Sequence, residues 1–317
     1  MKYICGMTFA PFAKRGNLAK KSAYESLRKL REHTGADFVI FVPNGLQDTP
    51  YSEKICYDSE ATMGDEELRD MILYARKELG MRTAIKPTVN CKNGTWRAYV
   101  NFFDEDVPCE AKWSNWFRSY TDFQLHYARL AQETGCEMLI AGCEMVMAER
   151  REKEWRRLIG DIRREFHGLV SYNTDKYQEH NVSWWDCVDV ISSSGYYPMD
   201  DWEGQLDRIE AVVRKFKKPF FFAEAGCMST EGSWKVPNDW NITGAPAPEQ
   251  QAAWFETMIN ACAKRDWVEG MAFWSWTDKL YAPGTAAGLC DYEIYGKPAQ
   301  DVVKRFYDAV QADRKEA

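Results

Sequence analysis

Short apolar runs alternate with stretches of helical periodicity along the whole chain, and this alternation limits the possible folds more than any other feature. Each run is short enough for one strand, and the eight runs cover residues 3–9, 37–43, 82–89, 137–144, 168–173, 188–194, 219–225 and 270–276. Because neighbouring parallel strands need a crossover connection, alternation with helices predicts a parallel sheet. Eight repeats favour an α/β fold of the closed (β/α)8 TIM barrel type over an open sheet.

The chain has 317 residues, which is within the usual length of one such barrel. It contains no linker rich in Pro, Gly or Ser and no internal repeat, so we expect a single catalytic domain over residues 1–317. Three connections are too long for plain crossovers: residues 90–111, 226–247 and 277–297 follow the third, seventh and eighth strands. Since all three leave carboxyl ends of strands, we expect them to fold over the mouth of the barrel.

The composition argues against several classes of partner. The formal net charge of −7 disfavours nucleic acid and anionic membranes, both of which attract clustered Lys and Arg. No apolar segment approaches the length of a membrane span, and the first residues enter a strand pattern without a leader-like region. The ten Cys include no C-x-x-C pair and read as small buried residues, which suggests a reducing cytoplasm. The sequence leaves the oligomeric state open.

Two of the apolar runs end in a glutamate, which is the strongest indication of chemistry in the chain. Glu144 ends the fourth run and Glu224 ends the seventh. A carboxylate within an apolar run is costly unless the strand stops there in a polar site. Two carboxylates at the carboxyl-end rim of one barrel are the minimum equipment for cleaving a glycosidic bond. Chain spacing alone leaves open whether their separation suits a retaining or an inverting mechanism.

Further polar residues lie at or within strands. Lys86 lies inside the third run, where a buried lysine needs a partner or a role. Asn90 and Asn173 end the third and fifth runs and could bind sugar hydroxyls, although Asn is also common in turns. None of the four His ends a strand, and no nucleotide-type glycine loop occurs, so we expect no metal and no cofactor.

Five short segments add to the two strand-end glutamates: residues 42–50 (VPNGLQDTP), 85–89 (IKPTV), 141–145 (AGCEM), 191–198 (ISSSGYYP) and 295–299 (YGKPA). In their order and spacing the chain resembles glycoside hydrolase family 113, a family of β-1,4-mannanases in clan A of the glycoside hydrolases. Clan A enzymes are (β/α)8 barrels with a glutamate at the ends of strands four and seven. The resemblance extends over nearly the whole chain.

The resemblance implies roles for the two glutamates. Glu144 would be the general acid/base, and Glu224 would be the nucleophile of a double displacement that retains the anomeric configuration. At Cys143 the chain departs from the clan, where an Asn before the acid/base commonly contacts the sugar 2-hydroxyl; Cys143 could affect specificity or serve packing alone.

The clan also implies two aromatic positions near the reacting sugar. A tyrosine after strand six hydrogen-bonds the nucleophile, and either Tyr196 or Tyr197 could do this, because neighbouring residues of a strand point to opposite faces. A tryptophan of strand eight forms the floor of the −1 subsite; Trp274 and Trp276 are two residues apart and are expected to share a face. Other tryptophans in or near the long loops are candidates for further subsites or for loop packing: Trp96, Trp113, Trp116, Trp234 and Trp240.

The leading interpretation is a retaining hydrolase of β-1,4-mannan or manno-oligosaccharides. Two alternatives within the clan are hydrolysis of xylan or glucan oligosaccharides and an exo-acting β-mannosidase. A sugar-binding barrel without catalysis is a third alternative. The sequence leaves open the length of glycan preferred and whether cleavage is endo or exo.

Overall fold

The computed structural model describes residues 1–282 and 284–316, and its centre is a closed barrel of eight parallel strands. Each strand pairs with the next in chain order, and β8 closes the barrel on β1. The strands are β1 (Ile4–Phe9), β2 (Phe38–Phe41), β3 (Arg82–Ile85), β4 (Met138–Cys143), β5 (Leu169–Thr174), β6 (Val190–Ser194), β7 (Phe220–Glu224) and β8 (Val268–Trp276). The predicted TIM barrel is confirmed.

Helices surround the barrel and follow most of its strands. The longest of them, Lys112–Thr134, is capped by Gly135, whose φ of 67° is the left-handed conformation that glycine adopts without strain. The helices are α1 (Lys21–Thr34), α2 (Asp65–Lys77), α3 (Lys112–Thr134), α4 (Glu152–Glu165), α5 (Trp202–Phe216), α6 (Pro248–Cys262) and α7 (Pro298–Glu316). The expectation of eight complete strand–helix units is wrong at one place, because the described crossover from β5 to β6 contains only a 3₁₀ turn, Trp185–Cys187.

The third apolar run divides into two strands instead of forming one. After β3 the chain leaves the barrel at Pro87, which has no N–H to donate, and forms a separate short strand, Thr88–Cys91. This strand pairs in parallel with Asn44–Gln47, which follows β2 in the same way. The resulting two-stranded sheet extends the barrel wall upward beside the segment 92–111 and places Asn90 near the mouth.

Two apolar layers explain why the strands read as uninterrupted hydrophobic runs. One layer fills the barrel and includes Phe38 and Ile40 of β2, whereas Val39 and Phe41 pack outward against the helices. Strands that are covered on both faces carry apolar residues at every position. The interior becomes increasingly polar toward its carboxyl end, where Asn173, Ser194 and Glu224 lie, and this change locates the site.

None of the helices described is both long and apolar enough to cross a membrane.

Candidate active site

A cavity of about 700 Å³ opens at the carboxyl end of the barrel, and Glu144 and Glu224 both line it. Segments after six of the eight strands contribute to its walls, including the loops after β3 and β7 that the sequence predicts to cover the mouth. A larger depression of about 1020 Å³ lies on the outer wall, between α2 and α3, where acidic side chains dominate. The mouth cavity is the candidate site because it collects polar groups from several strand ends.

Both glutamates follow an irregularity in strand pairing. Ile140 pairs with Ser171 but Cys143 with Asn173, so β4 carries one extra residue just before Glu144. Strand β7 likewise gains one residue against β6 just before Glu224. Such bulges change the direction of the next side chain and are frequent beside active sites.

At the β4 bulge, Gly142 has a φ of 105°, and a Cβ there would collide with the Tyr120 hydroxyl. Only glycine can adopt this bend without a collision, and the sequence has glycine at this position.

Glu224 is buried and is held by a lysine and a tyrosine. The Nζ of Lys86 lies 2.6 Å from Oε2, and the Tyr196 hydroxyl donates to Oε1 at 2.7 Å. Burial alone would raise the pKa of Glu224, but the charges of Lys86 and Arg97 and these hydrogen bonds outweigh burial, so the pKa is lowered. Glu224 is therefore kept ionised.

Glu144 receives a different set of contacts. The Ser194 hydroxyl donates to Oε1 at 2.7 Å, and the indole N–H of Trp96 donates to Oε2 at 3.1 Å. One guanidinium nitrogen of Arg97 lies 3.5 Å from Oε2. Glu144 itself has a φ of 52°, a left-handed conformation that is uncommon for residues other than glycine.

A buried polar network connects the two glutamates beneath the cavity. Asn173 accepts a hydrogen bond from Lys86 at 3.3 Å and donates one to Ser194 at 3.0 Å. Arg97 donates to the carbonyl of Cys143 at 3.1 Å and to the side chain of Asn90 at 3.2 Å. The carboxylates are thus oriented by one shared set of donors.

Four of the residues predicted to bind substrate lie around or below Glu224 and Glu144 in this way. Lys86, Cys143 and Asn173 are fully or almost fully buried, and the Cys143 thiol lies 3.7 Å from Glu224 Oε2. From this position Lys86 and Cys143 contact Glu224 directly and Asn173 contacts Lys86, so the three orient Glu224 rather than cover a sugar. Asn90 lines the cavity itself.

Aromatic side chains form the opposite wall. Trp274 lines the cavity with Phe12 and Trp240, whose ring centroids lie 5.7 Å and 5.9 Å from that of Trp274. Trp240 is 53% exposed, which leaves much of its surface available to a ligand. Flat aromatic surfaces beside carboxylates are suited to the C–H face of a pyranose ring.

Two sequence predictions do not fit the structure. Tyr197 points behind the barrel, where its hydroxyl donates to buried Glu179 at 2.8 Å, so Tyr196 alone of the pair contacts Glu224. Trp276 does not share a face with Trp274, because β8 gains a residue against β1 between Phe273 and Trp276. Its indole is buried and lies 3.1 Å from the Ser26 carbonyl oxygen of α1.

The remaining tryptophans divide between cavity and core. Trp96 and Trp240 line the cavity, whereas Trp113 and Trp116 are buried on α3 and Trp234 packs against the outer core.

Sequence reasoning missed four polar residues that structure places at the site. Ser194 and Asp175 end β6 or directly follow β5, so their positions at strand ends were a readable signal. Arg97 and Lys176 gave no such signal, because they lie in loops whose path depends on tertiary contacts. Asp175, Lys176 and Arg97 line the cavity.

The chemistry available is that of two carboxyl groups in unlike environments. Within residues 1–282 and 284–316, no group of three or more His, Cys, Asp or Glu is arranged to hold a metal ion. A carboxylate held ionised beside a second carboxyl with its own donors is suited to nucleophilic and acid–base steps on one substrate.

Comparisons with known proteins agree with this geometry. The family model described as Glycoside Hydrolase Family 113 matches residues 7–297. A structure of a β-1,4-mannanase of that family, solved as a complex, is 49% identical; the match covers 98% of this chain and 100% of that one, with a TM-score of 0.96. The β-mannanase AaManA from Alicyclobacillus acidocaldarius, in complex with ManMIm, is 40% identical over 98% of both chains, with a TM-score of 0.93.

More distant structures share only the fold. A β-D-glucuronidase from Dictyoglomus thermophilum is 15% identical, with a TM-score of 0.64, over 97% of this chain and 50% of its own. A search of curated proteins found no match. The long match to the family model and the two near-complete structural matches lead to one conclusion: the chain belongs to glycoside hydrolase family 113 and is a glycoside hydrolase.

Proposed function

We propose that this enzyme hydrolyses β-1,4-mannosidic bonds in mannan or manno-oligosaccharides with retention of configuration, using Glu224 as nucleophile and Glu144 as acid/base. The proposal rests on one observation: two carboxyl groups in one cavity have different hydrogen-bonding and charged neighbours. Lys86 and Tyr196 hold Glu224 in its ionised form, whereas Glu144 is bound by Ser194 and by Trp96 from a neighbouring loop.

In the first step, Glu224 attacks the anomeric carbon while the glycosidic C–O bond breaks. Glu144 gives its proton to the departing oxygen, so the leaving sugar departs as a neutral alcohol. Tyr196 keeps its proton, because burial raises its pKa well above the usual value, and it can therefore continue to donate as the charge on Glu224 changes.

In the second step, water replaces the leaving sugar beside Glu144, which now acts as base. The water oxygen bonds to the anomeric carbon, its proton passes to Glu144, and Glu224 leaves as a carboxylate. Lys86 stabilises that carboxylate again, and the enzyme returns to its starting state. Two inversions at one carbon give net retention.

The substrate class rests on the relatives and on the cavity. Both close relatives are described as β-mannanases, and a cavity that sets aromatic surfaces beside polar groups suits the C–H face and the hydroxyls of a glycan. We also propose that residues 1–317 act as one catalytic domain, since the strands that carry the site extend from one end of the chain to the other.

The direct test is hydrolysis of mannotetraose followed by proton NMR. We expect β-configured reducing ends to appear before mutarotation, and no early α-anomer. Early α-anomer would contradict retention, and turnover of xylo- or gluco-oligosaccharides without turnover of manno-oligosaccharides would contradict the substrate class. The lengths of the first products distinguish endo from exo cleavage.

Azide separates the roles of the two carboxyls, using 2,4-dinitrophenyl β-mannobioside, whose leaving group needs no proton. With Glu144→Ala, azide should intercept the glycosyl-enzyme and give a β-glycosyl azide. With Glu224→Ala, azide should take the place of the nucleophile and give an α-glycosyl azide. The opposite pattern would exchange the two assignments.

A further inference from the structure

The polar residues around the cavity divide by strand. Tyr196, Glu224 and Trp274 come from or directly follow β6, β7 and β8, and they surround the anomeric carbon in the proposed reaction. Glu144 directly follows β4 and has to reach the oxygen that joins the cleaved sugar to the leaving sugar. The leaving sugar must therefore lie beside Glu144, over β3, β4 and β5.

On that side an acidic and a basic residue line the cavity together. Asp175 directly follows the last residue of β5, and its Oδ1 lies 3.5 Å from the Nζ of Lys176. Their side chains are only 9% and 11% exposed. Burying an acid and a base together is costly, and apolar residues in their place would often give an equally stable or more stable fold. A ligand that contacts the pair would explain why both are present.

The pair retains hydrogen-bonding capacity. An ammonium group has three donors and a carboxylate has several acceptor positions. Among the described residues, Lys176 is the one basic side chain within 4 Å of the Asp175 carboxylate. A carboxyl oxygen of Asp175 can accept from one hydroxyl of a sugar while the Lys176 ammonium group donates to the next.

An aromatic surface faces the pair. The Nζ of Lys176 lies 5.8 Å from the centroid of a Trp96 ring, and the same indole donates its N–H to Glu144. Trp96 is 38% exposed, so part of its surface remains available to a ligand. A ring stacked there would hold its glycosidic oxygen next to the acid.

The backbone fixes this arrangement at some cost. Tyr177 has a φ of 67°, and the N–H of Gln178 donates to the Asp175 carbonyl at 3.2 Å, which closes a tight turn. The Tyr177 ring packs edge-on against Tyr197 at 5.2 Å. A bulky residue in the left-handed conformation is a strained feature of the kind that clusters at binding sites.

We propose that Asp175 and Lys176, together with the indole of Trp96, form the subsite that binds the leaving-group sugar. The ligand is a neutral pyranose, whose vicinal hydroxyls contact the Asp175 carboxyl and the Lys176 ammonium group while its C–H face lies against the indole. This inference rests on the proposed hydrolysis and adds its direction: the leaving end of the glycan lies over β3–β5, and the end that becomes attached to Glu224 lies over β6–β8.

Burial and the neighbouring Glu144 raise the pKa of Asp175, although Lys176 acts in the opposite direction. Asp175 is thus close enough to Glu144 to be influenced by its charge. This raises a competing role, in which Asp175 exchanges protons with Glu144 instead of binding sugar, and the experiment has to distinguish the two.

The test compares two substrates in Asp175→Asn and Lys176→Met. The leaving group of mannotetraose is a sugar. The leaving group of 2,4-dinitrophenyl β-mannobioside is a phenolate, which needs neither a proton nor a sugar subsite. We expect kcat/KM for mannotetraose to fall roughly ten-fold or more, as for the loss of a hydrogen bond to a charged group, with the aryl substrate changed less than about two-fold. Lys153→Met, at an exposed position of α4, is the matched control and should change neither.

The outcomes separate the hypotheses. The aryl substrate needs Glu144 only as the base of the second step. A fall in its kcat in Asp175→Asn as large as the fall for mannotetraose would therefore overturn the binding role and favour proton exchange with Glu144. Full activity of both variants on mannotetraose would also overturn the proposal. If the wild-type enzyme cleaves neither mannoside, the proposed function fails and not merely this subsite.

A second measurement guards against variants that fold poorly. With the aryl mannobioside as donor and mannobiose as acceptor, the ratio of transfer product to hydrolysis product is independent of the amount of active enzyme. The acceptor must occupy the leaving-group subsite, so we expect this ratio to fall several-fold in both variants and to be unchanged in Lys153→Met. An unchanged ratio in both Asp175→Asn and Lys176→Met would overturn the proposal.

Discussion

A single lysine largely determines whether Glu224 can act as a nucleophile. Glu224 is almost fully buried, and burial favours its protonated form, but the Lys86 ammonium 2.6 Å away reverses the preference. An ionised Glu224 is needed for attack, so the lowered pKa keeps the enzyme active toward the acidic side. Activity is lost only when the pH falls through that lowered pKa.

Lys86→Met should therefore move the acidic limb of the pH profile of kcat/KM to higher pH by about 1–3 pH units. An opposite charge at this distance typically lowers the pKa of a carboxyl group by that amount. The profile is measured with the aryl mannobioside, whose departure does not depend on an acid. Lys92→Met, an exposed lysine after the same segment, should leave the limb unchanged. An unmoved limb in Lys86→Met would contradict the assignment of Glu224.

The two adjacent tyrosines offer a matched pair. Tyr196→Phe removes the hydrogen bond to Glu224 Oε1 and should lower kcat by about 10-fold or more, in the range of groups that stabilise a reacting charge. Tyr197→Phe removes a hydrogen bond to Glu179 behind the barrel and should lower stability by about 1 kcal/mol while leaving kcat nearly unchanged. Equal effects on kcat would contradict the placement of Tyr196.

At this scale the sequence identifies the residues whose role follows from a strand end. Glu144 and Glu224 are such residues, and the structure brings them to one cavity. Arg97 and Trp96 could not be assigned, because their contacts with Glu144 depend on how a long loop returns to the barrel. The choice between Tyr196 and Tyr197 also needed the structure, since either could face inward.

Bulges decide what the strands present to the site. Strand boundaries were predictable to within a few residues from the apolar runs, but the extra residues before Glu144, Glu224 and Trp276 leave no pattern in hydrophobicity. Each extra residue reverses the alternation of faces beyond it. The expectation for Trp276 failed for this reason, although Trp274 lies where expected.

One helix start is joined to a distant loop by a single carboxylate. Glu67, in the first turn of α2, accepts backbone N–H groups of Gly64 at 2.7 Å, Leu18 at 2.9 Å and Gly16 at 2.9 Å. These bonds secure the loop between β1 and α1. Charge-assisted hydrogen bonds of this kind are stronger than neutral ones.

Glu67→Gln should lower the free energy of unfolding by about 1–3 kcal/mol, because a neutral amide oxygen satisfies fewer of these donors. Urea denaturation measures the change. Glu66→Gln, the adjacent exposed residue of the same turn, should change stability by less than about 0.5 kcal/mol. Equal effects of the two substitutions would show that the loop does not depend on Glu67.

Buried acids make the stability of the whole molecule depend on pH. Burial raises the pKa of Glu149 to about 8 and that of Glu293 to about 7, against an ordinary value of 4.5. Between pH 4.5 and these values the folded state holds protons that the unfolded chain has lost. Stability is therefore fullest near the lower limit and declines as pH rises toward 8.

We expect the free energy of unfolding to fall between pH 5.5 and pH 8, with a slope of up to about 1.4 kcal/mol per pH unit for each such acid. Chemical denaturation at several pH values measures this slope. Glu149→Gln, whose side chain resembles the neutral acid, should flatten this slope and reduce the difference in the free energy of unfolding between pH 5.5 and pH 8. A stability that rises over this range would contradict the raised pKa values.

The barrel as a whole could be predicted because its signal is repeated eight times and does not depend on exact boundaries. The missing helix between β5 and β6 and the outer sheet of Asn44–Gln47 and Thr88–Cys91 could not be. Both depend on local departures from the repeat, and a short apolar segment reads the same whether it continues a strand or begins another.

The left-handed backbone at Glu144 has a consequence for how this enzyme can be engineered. A φ of 52° suits glycine, whereas any residue with a Cβ loses about 1–2 kcal/mol there. Glu144→Gly should consequently be more stable than Glu144→Ala by that margin, although both lack the same carboxyl contacts. Glu144→Gly is therefore the sturdier variant for making glycosyl azides or thioglycosides, because Glu224 can still form the glycosyl-enzyme from an activated donor and an anionic acceptor needs no base.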